Sequence, residues 1–228
     1  MKGKLLLVFG IMASLVLAVS LVIASESSVL AEYSGMKAHS SYPVTYDTNG
    51  NIQAVTLPKP KTVYITIQAD EPLKSLLENR LSEKITEIGL RPVVIDPRES
   101  LKVQLKGRVL FVQVSSLDEE SGFLVKTVTV DAIAYYSTAG DIVDFLNALR
   151  KYGWEVSQSD TETLMEEVSR ETEMSMDINQ IPGDSVFMYW EGLKAKSGIF
   201  VDSEPYTMLA DYMADEIIKG MRSVEGSE

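Results

Sequence analysis

Residues 61–96 read KTVYITIQADEPLKSLLENRLSEKITEIGLRPVVID, and this stretch decides the fold. Val63, Ile65 and Ile67 alternate with Thr62, Tyr64, Thr66 and Gln68, the period of a half-buried strand. Asp70 stands where a helix cap is expected, with Glu71 and Pro72 in the first turn. Leu73, Leu76, Leu77, Leu81, Ile85 and Ile88 then form an apolar stripe at helical spacing, which Gly89 ends. From Arg91 to Asp96 the pattern is again that of a strand, closed by Pro97. A single apolar helix stripe between two strands is most simply buried against the sheet those strands form.

Further along, Val109 to Val114 is apolar on both faces except at Gln113, as in the centre of a sheet. Asp118 to Gly122 (DEESG) predicts a turn, and Phe123 to Tyr136 a long strand with Val128, Val130, Ala132 and Ala134 inward. Helices are expected from Gly140 to Tyr152 and from Ser159 to Met174, the second opened by a Ser159–Glu162 capping box. Val186 to Trp190 and Ile199 to Val201 are short strand candidates. Ser203 then caps a final helix with Tyr206, Leu209, Met213, Ile217 and Met221 on one side. Before residue 61, Asn49-Gly50 between apolar flanks predicts a hairpin over residues 42–55, and serine-rich Ser25 to Ser41 predicts a tether. The fold class is therefore α/β, an α+β two-layer sandwich on a mixed sheet, with one amino-terminal transmembrane helix. Its expected divisions are a signal-anchor (1–24), a tether with a short β-hairpin (25–60) and an extracytoplasmic α/β domain (61–228). Within the last, 141–228 is a candidate acidic subdomain.

The anchor rests on Leu5 to Ala24, LLLVFGIMASLVLAVSLVIA, twenty residues without a charge. Twenty helical residues span about 30 Å, the thickness of a bilayer's hydrocarbon core. Lys2 and Lys4 precede the stretch and Glu26 is the first charge after it, so the positive-inside rule places the rest of the chain outside the cytoplasm. A cleavable signal peptide has a shorter apolar core, of about 7–15 residues, which favours a retained anchor. Ala24 and Ala31, with Val22 and Val29 upstream, are the alternative cleavage sites, and cleavage would make the protein secreted.

Composition excludes more than it assigns. The 228 residues include no cysteine and one histidine, His39, which removes disulfides, thiolate chemistry, lipid-modified cysteine and the common zinc sites. A formal net charge of -12 argues against nucleic acid as a partner. Nearly all the excess acid falls after Asp141. No phosphate-cradling glycine motif or nucleophile elbow occurs, and no cofactor is implied. Ser34 and Lys37 match the spacing of a serine–lysine pair without its companion motifs, and Asp47-Thr48-Asn49-Gly50 is better explained by a hairpin turn than by an aspartic-protease motif. Catalytic, cofactor and metal residues are therefore not assigned. Glu166, Glu167 and Glu171 cluster on one expected helix, an ordinary solvated face or a docking face for a basic partner. Trp154, Tyr189 and Trp190 are either core aromatics or the lining of a carbohydrate or peptide groove.

The run from Lys61 to Asp96, followed by GRVLFVQVSS, VKTVTVDAIAYYSTAGDI and YTMLADYMADEIIKGM, resembles the small α/β domain of bacterial envelope proteins. Examples are the amino-terminal domain of the Tol-Pal translocation protein and the periplasmic part of the curli-secretion lipoprotein, which are similar to anticodon-binding folds. The likeness covers roughly residues 61 to 140 and the last helix, and it lies in element order and apolar pattern. It implies a role in envelope assembly or transport through a partner protein, and no functional residue carries over. The expected function is thus a membrane-anchored extracytoplasmic interaction or assembly component, held in the cell membrane by Leu5 to Ala24 and bound to an envelope protein. The alternatives are a membrane-tethered carboxylate hydrolase and a ligand-binding or sensing domain.

Overall fold

The computed structural model describes residues 12, 14–23, 25–39, 44–46, 52–54, 60–96, 107–138, 184–201 and 204–225. Its centre is a seven-stranded mixed sheet with two helices packed together on one face. The strands are β1 (Ser27–Leu30), β2 (Tyr33–His39), β5 (Thr62–Gln68), β6 (Arg91–Val94), β7 (Arg108–Ser121), β8 (Val125–Ser137) and β9 (Ser185–Gly198). They lie in the order β1-β9-β8-β7-β5-β6, with β2 sharing β9's outer side with β1. A separate two-stranded ribbon, β3 (Val44–Tyr46) and β4 (Ile52–Ala54), pairs Val44 with Ala54 and Tyr46 with Ile52. The Asn49-Gly50 pair between these strands is outside the described residues.

Local sequence explains the parallel part. β5 leads into α2 (Leu73–Glu87), and α2 returns the chain to β6, which lies parallel to β5. A parallel pair requires a crossover of this kind, and the helix supplies it. Leu73, Leu77, Leu81 and Ile85 are fully buried, while Leu76 and Ile88 pack at the margin. Gly89 stops the helix at φ 79°, a conformation that glycine adopts without strain. The expected cap is corrected: no side chain at Asp70 caps α2, and Glu71 Oε2 instead accepts Ser75 N at 3.3 Å and Ser75 Oγ at 2.6 Å.

The second helix of the layer, α3 (Pro205–Glu225), buries Tyr206, Leu209, Met213, Ile217 and Met221 against α2 and the sheet. Facing them are Val63, Ile65 and Ile67 of β5, Leu110 and Val112 of β7, Val128, Val130 and Ala134 of β8, and Val186, Met188 and Trp190 of β9. β9 and α3 therefore belong to the same sheet and core as β5–β8, while residues 141–183 of the candidate acidic subdomain lie outside the described residues. Two exposed ion pairs, Arg80–Asp211 at 2.6 Å and Lys84–Asp215 at 2.8 Å, cross between the helices at the rim.

Three further expectations are corrected. Asp118–Ser121, read as a turn, continues β7 and pairs with Lys126–Thr129, so the reversal falls at residues 122–124. Residues 199–201 form a turn and not a strand. Most consequentially, the stretch read as a tether supplies β1 and β2, both antiparallel to β9. Before them, α1 (14–23) is helical, and Leu15, Val16, Leu17, Val19, Leu21 and Val22 on all its faces are 50–65% exposed. Among the described residues no helix is long and apolar enough to cross a membrane. The expected helices at 140–152 and 159–174 lie outside the described residues.

Cutting Leu77 or Leu81 to alanine should cost about 2–5 kcal/mol in denaturant unfolding, the range for a large-to-small change in a packed core. Asp215→Asn, at the exposed rim pair, should cost less than about 1 kcal/mol. Equal effects of the two kinds of change would contradict this packing.

Candidate functional site

At one edge of the sheet the chain presents apolar side chains on strands whose outer side meets no described strand. β9 is hydrogen-bonded to β8 on one side and to β1 and β2 on the other. No described strand pairs with the outer side of β1 or β2. Leu30 is 70% exposed and Tyr33 58%, and both point away from the helix layer. A strand edge of this kind is a template for pairing with another chain.

Edge and centre are shaped by matched irregularities. The register of β7 against β8 shifts between Val114 and Ser116, and that of β8 against β9 shifts between Val130 and Ala132. Asp131 holds both: Oδ2 accepts Ser116 Oγ and Oδ1 accepts Gly192 N, each at 2.7 Å. Gly192 has φ 58°, and a Cβ there would lie 2.8 Å from Glu32 Cγ, so the bulge favours glycine. Glu32 N in turn donates to Glu191 O at 3.2 Å, which carries the kink outward to the junction of β1 and β2.

At the opposite end of the sheet a polar lock closes the core. Arg108, at the start of β7, is 5% exposed; its Nε donates to Pro60 O at 2.5 Å and its Nη1 to Tyr136 Oη at 3.2 Å. Nη1 also pairs with Glu225 Oε1, which accepts the Tyr136 hydroxyl as well. Burial, and then the hydrogen bond and charge of Glu225, push the Tyr136 phenol far above its ordinary value of 10, against the opposing pull of Arg108. These groups satisfy one another, as buried charges must.

One cavity of about 280 Å³ lies where β5 ends beside the middle of β7, lined by Gln68, Ala69, Asp70 and residues 113–117. Gln113 Oε1 is buried there without a hydrogen-bond partner. Asp70 is the sole carboxylate of the lining, whereas glycoside hydrolysis uses two. Among the described residues no cluster of His, Asp and Glu could hold a metal ion.

Of the sequence-derived surface residues, Tyr189 and Trp190 are among those described. Tyr189 is 8% exposed and Trp190 4%, so of the two readings offered for them both are buried aromatics. Trp190 lies in the helix-side core, and the Tyr189 ring lies on Gly35 of β2, where a Cβ would approach within 2.4 Å. Trp154, Glu166, Glu167 and Glu171 are outside the described residues. Ser34 and Lys37 fall three apart on β2, hence on opposite faces, which does not build a serine–lysine pair. His39 ends β2. Leu30 and Tyr33 were missed because a strand paired only through β9 leaves little periodicity of its own.

The lock yields a pH signature. A raised phenol pKa means that the native state retains a proton that the unfolded chain releases, so the stabilisation is complete below pH 10 and is lost as pH rises beyond it. Tyr136→Phe should cost roughly 1–3 kcal/mol at neutral pH. Its melting temperature should also fall less than the parent's between about pH 9 and about pH 11. Parallel alkaline profiles would refute the lock.

No family model matches the chain, and no curated protein matches it. Among solved structures, it is similar to a dodecameric PelC variant from Paraburkholderia phytofirmans, at 11% identity and a TM-score of 0.33, covering 83% of this chain and 98% of that one. It is also similar to the lipoprotein GNA1162 from Neisseria meningitidis, again at 11% identity and a TM-score of 0.33, covering 70% of this chain and 99% of that one. Neither of these two is a Tol-Pal or curli-secretion protein, and at this TM-score the likeness does not establish a shared fold.

Proposed function

We propose that the chain is a membrane-anchored component of the cell envelope that binds a partner protein through the open β1–β2 edge. One observation carries the reading: an apolar helix exposed on every face runs, with three residues between them, into a strand edge that no described strand covers. Each leucine or valine of α1 gains about 1.5–3 kcal/mol when its surface leaves water, and a bilayer offers that on all sides at once. Three extended residues reach at most about 14 Å, so an inserted α1 holds the edge beside the membrane. The edge then meets partners already confined to that surface. An added strand gains backbone hydrogen bonds, while Leu30 and Tyr33 supply apolar contact.

Membranes should retain the full chain through an alkaline carbonate wash, and intact-mass analysis should find Leu5 to Ala24 still attached. A mature amino terminus at Ser25 would remove the anchor, and one at Glu32 would also remove β1. A photoreactive p-benzoylphenylalanine at Tyr33 should form a discrete adduct in intact membranes, and Leu30→Glu should abolish it with less than about 0.5 kcal/mol change in stability, as for exposed sites generally. An adduct unchanged by Leu30→Glu would move the partner surface elsewhere.

A further inference from the structure

The end of the sheet nearest α1 carries its own apolar surface. Phe123 is 93% exposed, Phe200 65% and Ile199 55%. They come from two turns about 75 residues apart in sequence, β7–β8 and β9–α3, that are bonded side by side. Ile199 N donates to Leu124 O at 3.0 Å, Gly122 N to Val125 O at 2.8 Å and Val201 N to Gly198 O at 3.0 Å. The three side chains are therefore presented by a hydrogen-bonded end and not by loose loops.

This same end joins α1. Gly198 N donates to Glu26 O at 2.9 Å, and Glu26 N donates back to Ile23 O of the helix at 3.3 Å. Glu26 is thus bonded to the last turn of α1 and to the turn that bears Ile199 and Phe200. Ion pairs offset part of the flanking acid: Glu26 pairs with Lys196 at 3.3 Å, and Lys126 is shared by Glu119 at 3.3 Å and Glu204 at 3.7 Å. Tyr206 Oη also donates to Glu119 at 2.8 Å, and this bond, ahead of Lys126, holds the Glu119 carboxyl below its ordinary value.

We infer that Phe123, Ile199 and Phe200 form a lipid-contacting tip that seats this end of the sheet in the headgroup layer beside α1. The inference rests on the anchored reading above. Aromatic side chains favour the interface between hydrocarbon and water, where the apolar ring leaves water while neighbouring backbone and charges stay wet. Direct hydrogen-bonded continuity between α1 and these turns puts them at the depth where that interface begins. The domain is then fixed in orientation by two contacts, the helix and the tip, and does not swing on a tether.

The chain has no native cysteine, so single nitroxide labels report without background. Four labelled full-length proteins, carrying Leu17→Cys, Phe123→Cys, Phe200→Cys or Glu87→Cys, would be reconstituted in phosphatidylcholine vesicles. Collision of each label with oxygen, which concentrates in lipid, and with a water-soluble nickel chelate would then be measured. The expected result is lipid-like exposure at positions 17, 123 and 200, with strong oxygen and weak nickel relaxation, and the reverse at 87. Nickel access at 123 and 200 equal to that at 87, with 17 still in lipid, overturns the tip and leaves the anchor standing. Shielding from both relaxants at 123 and 200 overturns it in favour of a protein contact, including a second copy of this chain. Nickel access at 17 overturns the anchor and the tip together.

Discussion

Pairing of β9 on both of its sides is the constraint on which the rest of the molecule depends. Ser185–Gly198 meets β8 along one side and, along the other, β1 and β2, whose residues lie some 150 positions earlier in the chain. Without β9 the sheet would end at β8, Val186, Met188 and Trp190 would vanish from the core, and residues 27–39 would have nothing to pair with. Such long-range pairings close only after a large loss of chain entropy, which favours late formation in folding. The Asp131 carboxylate matters for the same reason. By bonding Ser116 on β7 and Gly192 on β9, it keeps three strands in step where two of the ladders slip.

What could be read from sequence follows from how local each interaction is. β5, α2 and β6 sit next to each other in the chain, and their alternation, leucine stripe and glycine stop are all contained in residues 61–96. β8's inward residues were legible for the same reason. By contrast, SSVLAEYSGMKAH carries no clean alternation, because the kink at Ala31 and Glu32 shifts the inward-facing parity between β1 and β2. Its strand state is imposed by β9. The run Asp118–Ser121 is equally opaque: four polar residues look like a turn, yet they lie in register with Lys126–Thr129, and the Glu119–Lys126 pair forms across that ladder. Periodicity in a window cannot report a partner elsewhere in the chain. The helix start sits at the same limit: Asp70 is a plausible cap by residue type, yet no side chain caps α2, and Glu71 bonds Ser75 instead.

The same distinction separates the candidate surfaces. An acidic cluster or an aromatic pair can be recognised by residue type, but its exposure depends on the fold. Tyr189 and Trp190 illustrate this, because consecutive residues on a strand point to opposite faces, and here both faces are covered at that position. Leu30 and Phe123 are the converse: unremarkable as residue types, they become notable only because the structure leaves them uncovered. Isolated exposed apolar residues are common, and position is what sets these apart. Leu30 and Tyr33 occupy an edge with no described neighbour, and Phe123, Ile199 and Phe200 gather at one end.

Replacing a tether by paired strands changes what the protein can do at a membrane. A flexible linker of some seventeen residues would let the domain sample a shell of roughly 20–25 Å around its anchor in every orientation. In the observed fold, Glu26 is hydrogen-bonded to α1 and to β9 at once, so helix and sheet share a junction of a single residue. Orientational freedom lost at that junction need not be lost again when a partner binds, and preorganisation of this kind favours affinity without adding contacts. The Arg108–Tyr136–Glu225 lock lies at the far end, where it ties β7, β8 and the carboxyl end of α3 together. It therefore stands at the opposite end of the same strands from the Glu26 junction. For the membrane-anchored module proposed above, such a junction would set how the edge meets partners in the plane of the membrane, an orientation that a freely diffusing binding domain does not need.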